Sequence, residues 1–122
     1  MNKIINIMLV DDSLIVRNVL REVFEEKDFK IVAESSNGAD AVKKYNIHKP
    51  DVITMDLIMP IMDGLEASEN ILKEHPNAKI IIVSAVEDEE IINKALKLGV
   101  KDFVIKPFDL NELKEKVKKI AL

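Results

Sequence analysis

Apolar runs and stretches of helical periodicity alternate along the whole chain. Ile4–Val10 (IINIMLV) is almost continuously apolar, as in a strand buried on both faces. Leu14–Lys27 then places Leu14, Ile15, Val16, Val19, Leu20, Val23 and Phe24 at helical spacing, with Ser13 as N-cap. Lys30–Glu34 predicts a second strand, Asn37-Gly38 a turn and Ala39–Ile47 a second helix. Asp51–Met55 follows Pro50 as a third strand, and a long loop leads to a helix from Gly64 to Glu74, closed by Pro76-Asn77. Lys79–Val83 predicts a fourth strand, and Glu87–Leu98 a helix with acids in its first turn and Gly99 as its C-terminal cap. Lys101–Ile105 predicts a fifth strand, and Asp109 caps a helix running to the end.

Strands joined through helices run parallel with right-handed crossovers. Five such units predict an α/β fold: a three-layer α/β/α sandwich on a five-stranded parallel sheet. Its expected order is the flavodoxin-like 2-1-3-4-5, although pattern alone does not fix the order. Five units are too few for an eightfold barrel.

Composition narrows the function. The 122 residues suit one domain, and 48% hydrophobic content is enough for a core. A net charge of −4 argues against non-specific binding to nucleic acid or an anionic membrane. The absence of cysteine excludes disulfide scaffolds, thiolate metal sites and thiol catalysis. No apolar run reaches the ~18 residues of a membrane span. The N-terminal Met-Asn-Lys-Ile-Ile lacks the long apolar stretch of a signal peptide, so a cytoplasmic protein is expected.

Ligands in this architecture bind beyond the carboxyl ends of the strands. There the sequence places Asp11-Asp12, Asp56, Ser84 and Lys106-Pro107. Two carboxylates about 4 Å apart repel by roughly 4 kcal/mol at an effective dielectric near 20. A cation, a raised pKa or the Lys106 ammonium must compensate. Oxygen ligands favour a hard ion such as Mg²⁺, which commonly shares its sphere with a phosphate. Lys106 and Ser84 can hold phosphoryl oxygens, and one carboxylate can form an acyl phosphate.

These motifs resemble the receiver domain of two-component response regulators: Asp11-Asp12, Asp56 within TMDLIMPIMDG, Ser84-Ala85 after KIIIV, and Lys106-Pro107-Phe108 after KDFVI. Four separated motifs in order make the resemblance specific, and it covers residues 1–122 as a single receiver domain. Within the family the likeness is greatest to stand-alone CheY-like chemotaxis regulators, because the chain stops after its fifth helix.

The resemblance implies that Asp56 accepts a phosphoryl group from a phosphohistidine on a CheA-like histidine kinase. Asp12 and Asp56 would bind Mg²⁺ through side chains, Ile58 through its carbonyl and Asp11 through water. Ser84, Lys106 and the amide of Ala85 would receive phosphoryl oxygens, with Lys106-Pro107 cis. Ser84 and Phe103 would form the switch that changes the face of helix 4, strand 5 and helix 5. Such a protein is no enzyme beyond its own phosphoryl uptake and slow self-dephosphorylation. It is expected to act as a monomer on a bacterial flagellar switch protein or an archaellum adaptor. A transcriptional receiver or phosphorelay carrier is the alternative.

Three features depart from the common pattern. Phe103 lacks a hydroxyl, so its inward and outward positions should differ only by packing. Ile58 and Val86 cannot orient water, which predicts a long-lived acyl phosphate and dependence on a separate phosphatase. Glu87, Asp88, Glu89 and Glu90 oppose Lys114, Lys116, Lys118 and Lys119. These read either as dipole complements on a solvated surface or as a charge-divided docking face.

Other residues have plainer readings. Met55, Met59 and Met62 suit loop and core packing, Tyr45 suits packing of the second helix, and His48 and His75 suit surface positions at helix ends. An aspartyl phosphatase would want Asp-x-Asp after the first strand, and a flavin binder a Ser/Thr/Gly-rich phosphate loop. Asp11-Asp12 supplies neither.

Overall fold

A computed structural model describes residues 3–122; Met1 and Asn2, part of the segment weighed as a leader, lie outside the described residues. Five strands and five helices alternate: β1 (Ile5–Val10), α1 (Leu14–Val23), β2 (Phe29–Ser35), α2 (Gly38–His48), β3 (Val52–Met55), α3 (Gly64–Glu74), β4 (Ile80–Ser84), α4 (Glu89–Leu98), β5 (Asp102–Ile105) and α5 (Leu110–Ala121). All pairings are parallel, and the sheet order is β2-β1-β3-β4-β5, as expected.

The runs are continuously apolar because each strand serves two cores. On β1, Met8 and Val10 face α2, α3 and α4, where they meet Ile53, Met55, Ile80 and Ile82. Ile7 and Leu9 face α1 and α5 with Val52, Ile81, Val83 and Leu113. Tyr45, Met55 and Met59 are buried in the first of these cores, as their plain reading expected. Among the described residues no helix is long and apolar enough to cross a membrane.

Two helix boundaries differ from the pattern. α1 ends at Val23, not near Lys27, because Phe24 leaves the helical path as its C-cap. Its buried ring packs edge-on against Phe29, with centroids 5.0 Å apart. α4 begins at Glu89, so Glu87 lies outside it and Asp88 is its N-cap, accepting from the N–H groups of Glu90 and Ile91. Only Glu89 and Glu90 occupy its first turn. Ser13, Asp109 and Gly99 cap as expected, Gly99 in the left-handed conformation that its lack of a Cβ permits.

Candidate functional site

Pairing continues just past the strands and sets the site's geometry. The Asp11 N–H donates to the Ser35 carbonyl at 3.0 Å, and the Asp56 N–H to the Val10 carbonyl at 2.9 Å. Asp11 and Asp56 are thereby held at neighbouring strand ends. On the far side, the Lys106 N–H donates to the Ser84 carbonyl at 2.9 Å, so these two also stand together. The Lys106-Pro107 bond is cis.

Asp11, Asp12 and Asp56 each offer an oxygen, all within 4.8 Å of one another. Asp11 and Asp56 are buried, whereas Asp12 is exposed. Lys106 Nζ lies 2.7 Å from Asp11 Oδ2 and 3.7 Å from Asp56 Oδ1. Among the described residues it is the single side-chain cation paired with this cluster. Asp11 Oδ1 also accepts from the Ser13 N–H at 2.9 Å, and Asp56 Oδ1 from the Leu57 N–H at 2.9 Å.

Burial and the neighbouring Asp11 push the Asp56 carboxyl above the usual range. Lys106 and the Leu57 N–H oppose the rise, and Asp12 adds to it. Asp56 thus has an ionised form that its surroundings under-compensate. A hard divalent cation fits this donor set: three carboxylates, all oxygen, with one ammonium against them.

Ser84 is buried, and its Oγ accepts from the Val86 N–H at 3.3 Å. Ala85 beside it is exposed, and Ile58 projects into solvent after Asp56. Phe103 is half-buried against the core beneath α3 and α4. Glu87, Asp88, Glu89 and Glu90 are all exposed. A groove of about 300 Å³ beside the acidic cluster is lined by Leu57, Ile58, Met59, Asp63, Leu65, Val86 and Ile91.

Gly64, the first residue of α3, has no room for a side chain. A Cβ there would stand 1.8 Å from the Asp56 carbonyl oxygen, so only glycine lets α3 start against the back of Asp56. Arg17 and Glu34 belong to the surroundings of the site, with no local sign of it in the sequence. The Arg17 guanidinium donates from Nη1 to the Asp11 carbonyl and from Nε to Glu34 Oε1, at 2.5 and 3.1 Å.

His48 and His75 both sit at helix ends. His75 is the C-cap of α3; its Nε2 lies 2.8 Å from Asn46 Oδ1 and its ring rests on Tyr45.

Comparison with known proteins places this geometry. The family model described as response regulator receiver domain matches residues 7–118. The chemotaxis protein CheY of Listeria monocytogenes is 41% identical over 117 residues, covering 96% of this chain and 98% of that protein. The CheY of Thermotoga maritima is 38% identical over 115 residues, covering 94% and 96%. A crystal structure of the CheX-CheY-BeF3-Mg²⁺ complex from Borrelia burgdorferi superposes with a TM-score of 0.92 at 32% identity, covering 97% of this chain and 90% of that one. Such domains serve phosphorylation-activated signalling and are not enzymes in the ordinary sense. With the match spanning both ends of the sheet and every motif of the acidic rim, the chain belongs to the response regulator receiver family.

Proposed function

We propose that this chain is a single-domain, cytoplasmic motility switch in which Asp56 is the phosphoacceptor. The observation behind it is the buried Asp56 carboxylate, crowded by Asp11 and Asp12 and reached by Lys106. An Asp56 oxygen attacks the phosphorus of a phosphohistidine on a CheA-like kinase. The P–O bond forms as the P–N bond breaks, and the imidazole leaves with the electron pair and takes up a proton. An acyl phosphate remains on Asp56.

Asp11, Asp12, Asp56 and the Ile58 carbonyl would hold Mg²⁺, which supplies charge neutralisation for the incoming phosphoryl group. Lys106, the Ser84 hydroxyl and the Ala85 N–H receive the phosphoryl oxygens. The Ser84 Oγ accepts from the Val86 N–H and its O–H is free to donate to a phosphoryl oxygen, so Ser84 moves toward the phosphate and leaves room beside Phe103. The half-buried Phe103 then repacks, and the α4–β5–α5 face, with Glu87 to Glu90 exposed at its edge, changes for its partner. The chemotaxis names of relatives that match along nearly their whole length favour a motility partner, a flagellar switch protein or an archaellum adaptor, over a transcriptional one.

Exposed Ile58 and half-buried Val86 flank the acceptor and offer no group to orient water, so the acyl phosphate is long-lived and calls for a separate phosphatase. Intact mass after incubation with acetyl phosphate and Mg²⁺ tests the proposal. One phosphoryl group should be gained, only with the cation, and Asp56→Asn should gain none. Decay after acetyl phosphate is removed should accelerate in Ile58→Asn with Val86→Glu. Uptake by Asp56→Asn, or none by the unmodified chain with either acetyl phosphate or a kinase, would remove Asp56 from this role.

A further inference from the structure

We infer that Arg17 is a positioning residue of the acidic site. Its guanidinium, held by Glu34, clamps the main-chain carbonyl of Asp11 and sets how tightly Asp11, Asp12 and Asp56 take a divalent cation. This rests on reading that cluster as a cation site.

β1 ends at Val10, which is paired on both sides with Ser35 and Met55. Asp11 therefore has no further ladder partner for its carbonyl, yet the residue is only 2% exposed. A buried carbonyl needs a donor. Arg17 Nη1 supplies one at 2.5 Å from the second turn of α1. The same short segment is tied three more times: Ser13 N–H to Asp11 Oδ1 at 2.9 Å, Val16 N–H to Ser13 Oγ at 3.3 Å, and Arg17 N–H to the Ser13 carbonyl at 3.0 Å.

Those local bonds fix the β1–α1 joint to itself. Besides the Asp11 N–H, which donates to the Ser35 carbonyl, the Arg17 side chain ties it to β2 through Glu34, which stands opposite Leu9 in the sheet. Glu34 is secured in turn by Arg21, whose Nε and Nη2 donate at 2.5 and 2.9 Å. The Arg17 and Glu34 side chains are 15% and 22% exposed, so this is no loose surface pair. Arg17 meets the main-chain carbonyl of Asp11 and none of the cluster's carboxylates, so what it gives the acidic cluster is chiefly geometry, which depends on a planar fork reaching two oxygens at once.

Mn²⁺ is the probe, with the free ion counted by electron paramagnetic resonance against the full chain. Arg17→Met should weaken Mn²⁺ binding about tenfold or more, the usual cost of losing an outer support of a metal ligand. Arg17→Lys should also be weakened, because an ammonium does not reproduce the planar fork that meets the Asp11 carbonyl with one nitrogen and Glu34 with another. Thermal melts identify variants that stay folded, and Arg17→Lys keeps the question open to decision if Arg17→Met does not. Folded Arg17 variants that bind Mn²⁺ like the unmodified chain would overturn the clamp. Asp12→Asn separates the two layers. If it loses Mn²⁺ while the Arg17 variants do not, only the clamp falls. If the unmodified chain binds no Mn²⁺, or Asp12→Asn binds it equally well, the cation reading falls and the clamp with it.

Discussion

The two ends of the sheet use the same residue types to opposite effect. Where strands begin, each acid meets its own lysine: Asp51 with Lys3 at 3.8 Å, Asp28 with Lys118 at 3.8 Å, and Asp102 with Lys116 at 3.2 Å. These carboxylates stay half-wet, at 27%, 33% and 37% exposure. Where strands end, three carboxylates crowd together, and the two buried ones share Lys106. The first arrangement is what folding alone would select, since exposed pairs contribute little and harm nothing. The second costs stability until something else arrives, and that mismatch marks the working end. Hollow size does not mark it: hollows of about 430 and 600 Å³ lie at the lysine-rich end, and the groove beside Asp56 is smaller.

Removing one lysine from each end gives the largest contrast. Lys106→Met leaves Asp11 and Asp56 buried without their cation and should destabilise the fold by about 3 kcal/mol. Lys116→Met should cost less than about 1 kcal/mol. Urea unfolding without divalent cations measures both, and equal losses would end the distinction between the two ends.

Removing an acid should act in the opposite direction. Asp56→Asn relieves burial and repulsion, and should stabilise the cation-free protein at neutral pH, read as a higher urea midpoint. The sign follows from linkage. A carboxyl raised on folding binds more protons folded than unfolded between its raised value and the ordinary one near 4. Its penalty is therefore full above that window and vanishes below it. The advantage of Asp56→Asn should fade as pH falls through the window, and Mg²⁺ should stabilise only the unmodified chain. A variant less stable than its parent at pH 7 would contradict the crowding.

The order of elements and the acids at strand ends were legible because both are written locally. Ile80–Val83 can hardly be anything but a doubly covered strand, and Ser13 and Asp109 sit one residue before helical periods. What failed to show depends on contacts between distant segments. Phe24 fits the helical pattern of α1 and leaves it for Phe29. Arg17 and Glu34 look like ordinary surface charges on a helix and a strand, and only the parallel pairing of β1 with β2 brings them together. The closeness of Gly64 to Asp56 has no local sign beyond the glycine itself.

Backbone conformation repeats the contrast between the ends. Two non-glycine residues have positive φ among those described, Lys49 at 43° and Ile61 at 71°. Lys49 lies near the strand-starting end as the C-cap of α2, and its N–H donates to the Tyr45 carbonyl, so the helix supports its conformation. Ile61 is β-branched and 84% exposed in the loop after Asp56, with little packing to hold it there. The left-handed conformation costs an L-residue roughly 1–2 kcal/mol, while glycine adds about 0.5–1 kcal/mol of chain entropy to lose. Ile61→Gly should therefore stabilise the protein by up to about 1 kcal/mol, read as a rise in urea midpoint at constant slope. A fall would mean that the exposed isoleucine makes contacts worth more than its strain.

The smallest effect is the most demanding of the comparison. Asp102 and Lys116 form the shortest of the three lysine-end pairs, at 3.2 Å, yet both side chains are about a third exposed. Lys116 is also 3.9 Å from Glu112, so it has a second acid to turn to. Asp102 Oδ1 accepts from the Phe103 N–H at 2.8 Å, so the single variant Asp102→Asn would mix that bond with the ion pair. A double-mutant cycle with Asp102→Asn and Lys116→Met isolates the coupling, which should be about 0.5 kcal/mol or less and should shrink further in 1 M salt. A coupling of several kcal/mol, insensitive to salt, would make this pair as consequential as Lys106 with Asp11. Charge pairing would then hold the fold at both ends, and the crowding around Asp56 would lose its standing as the sign of function.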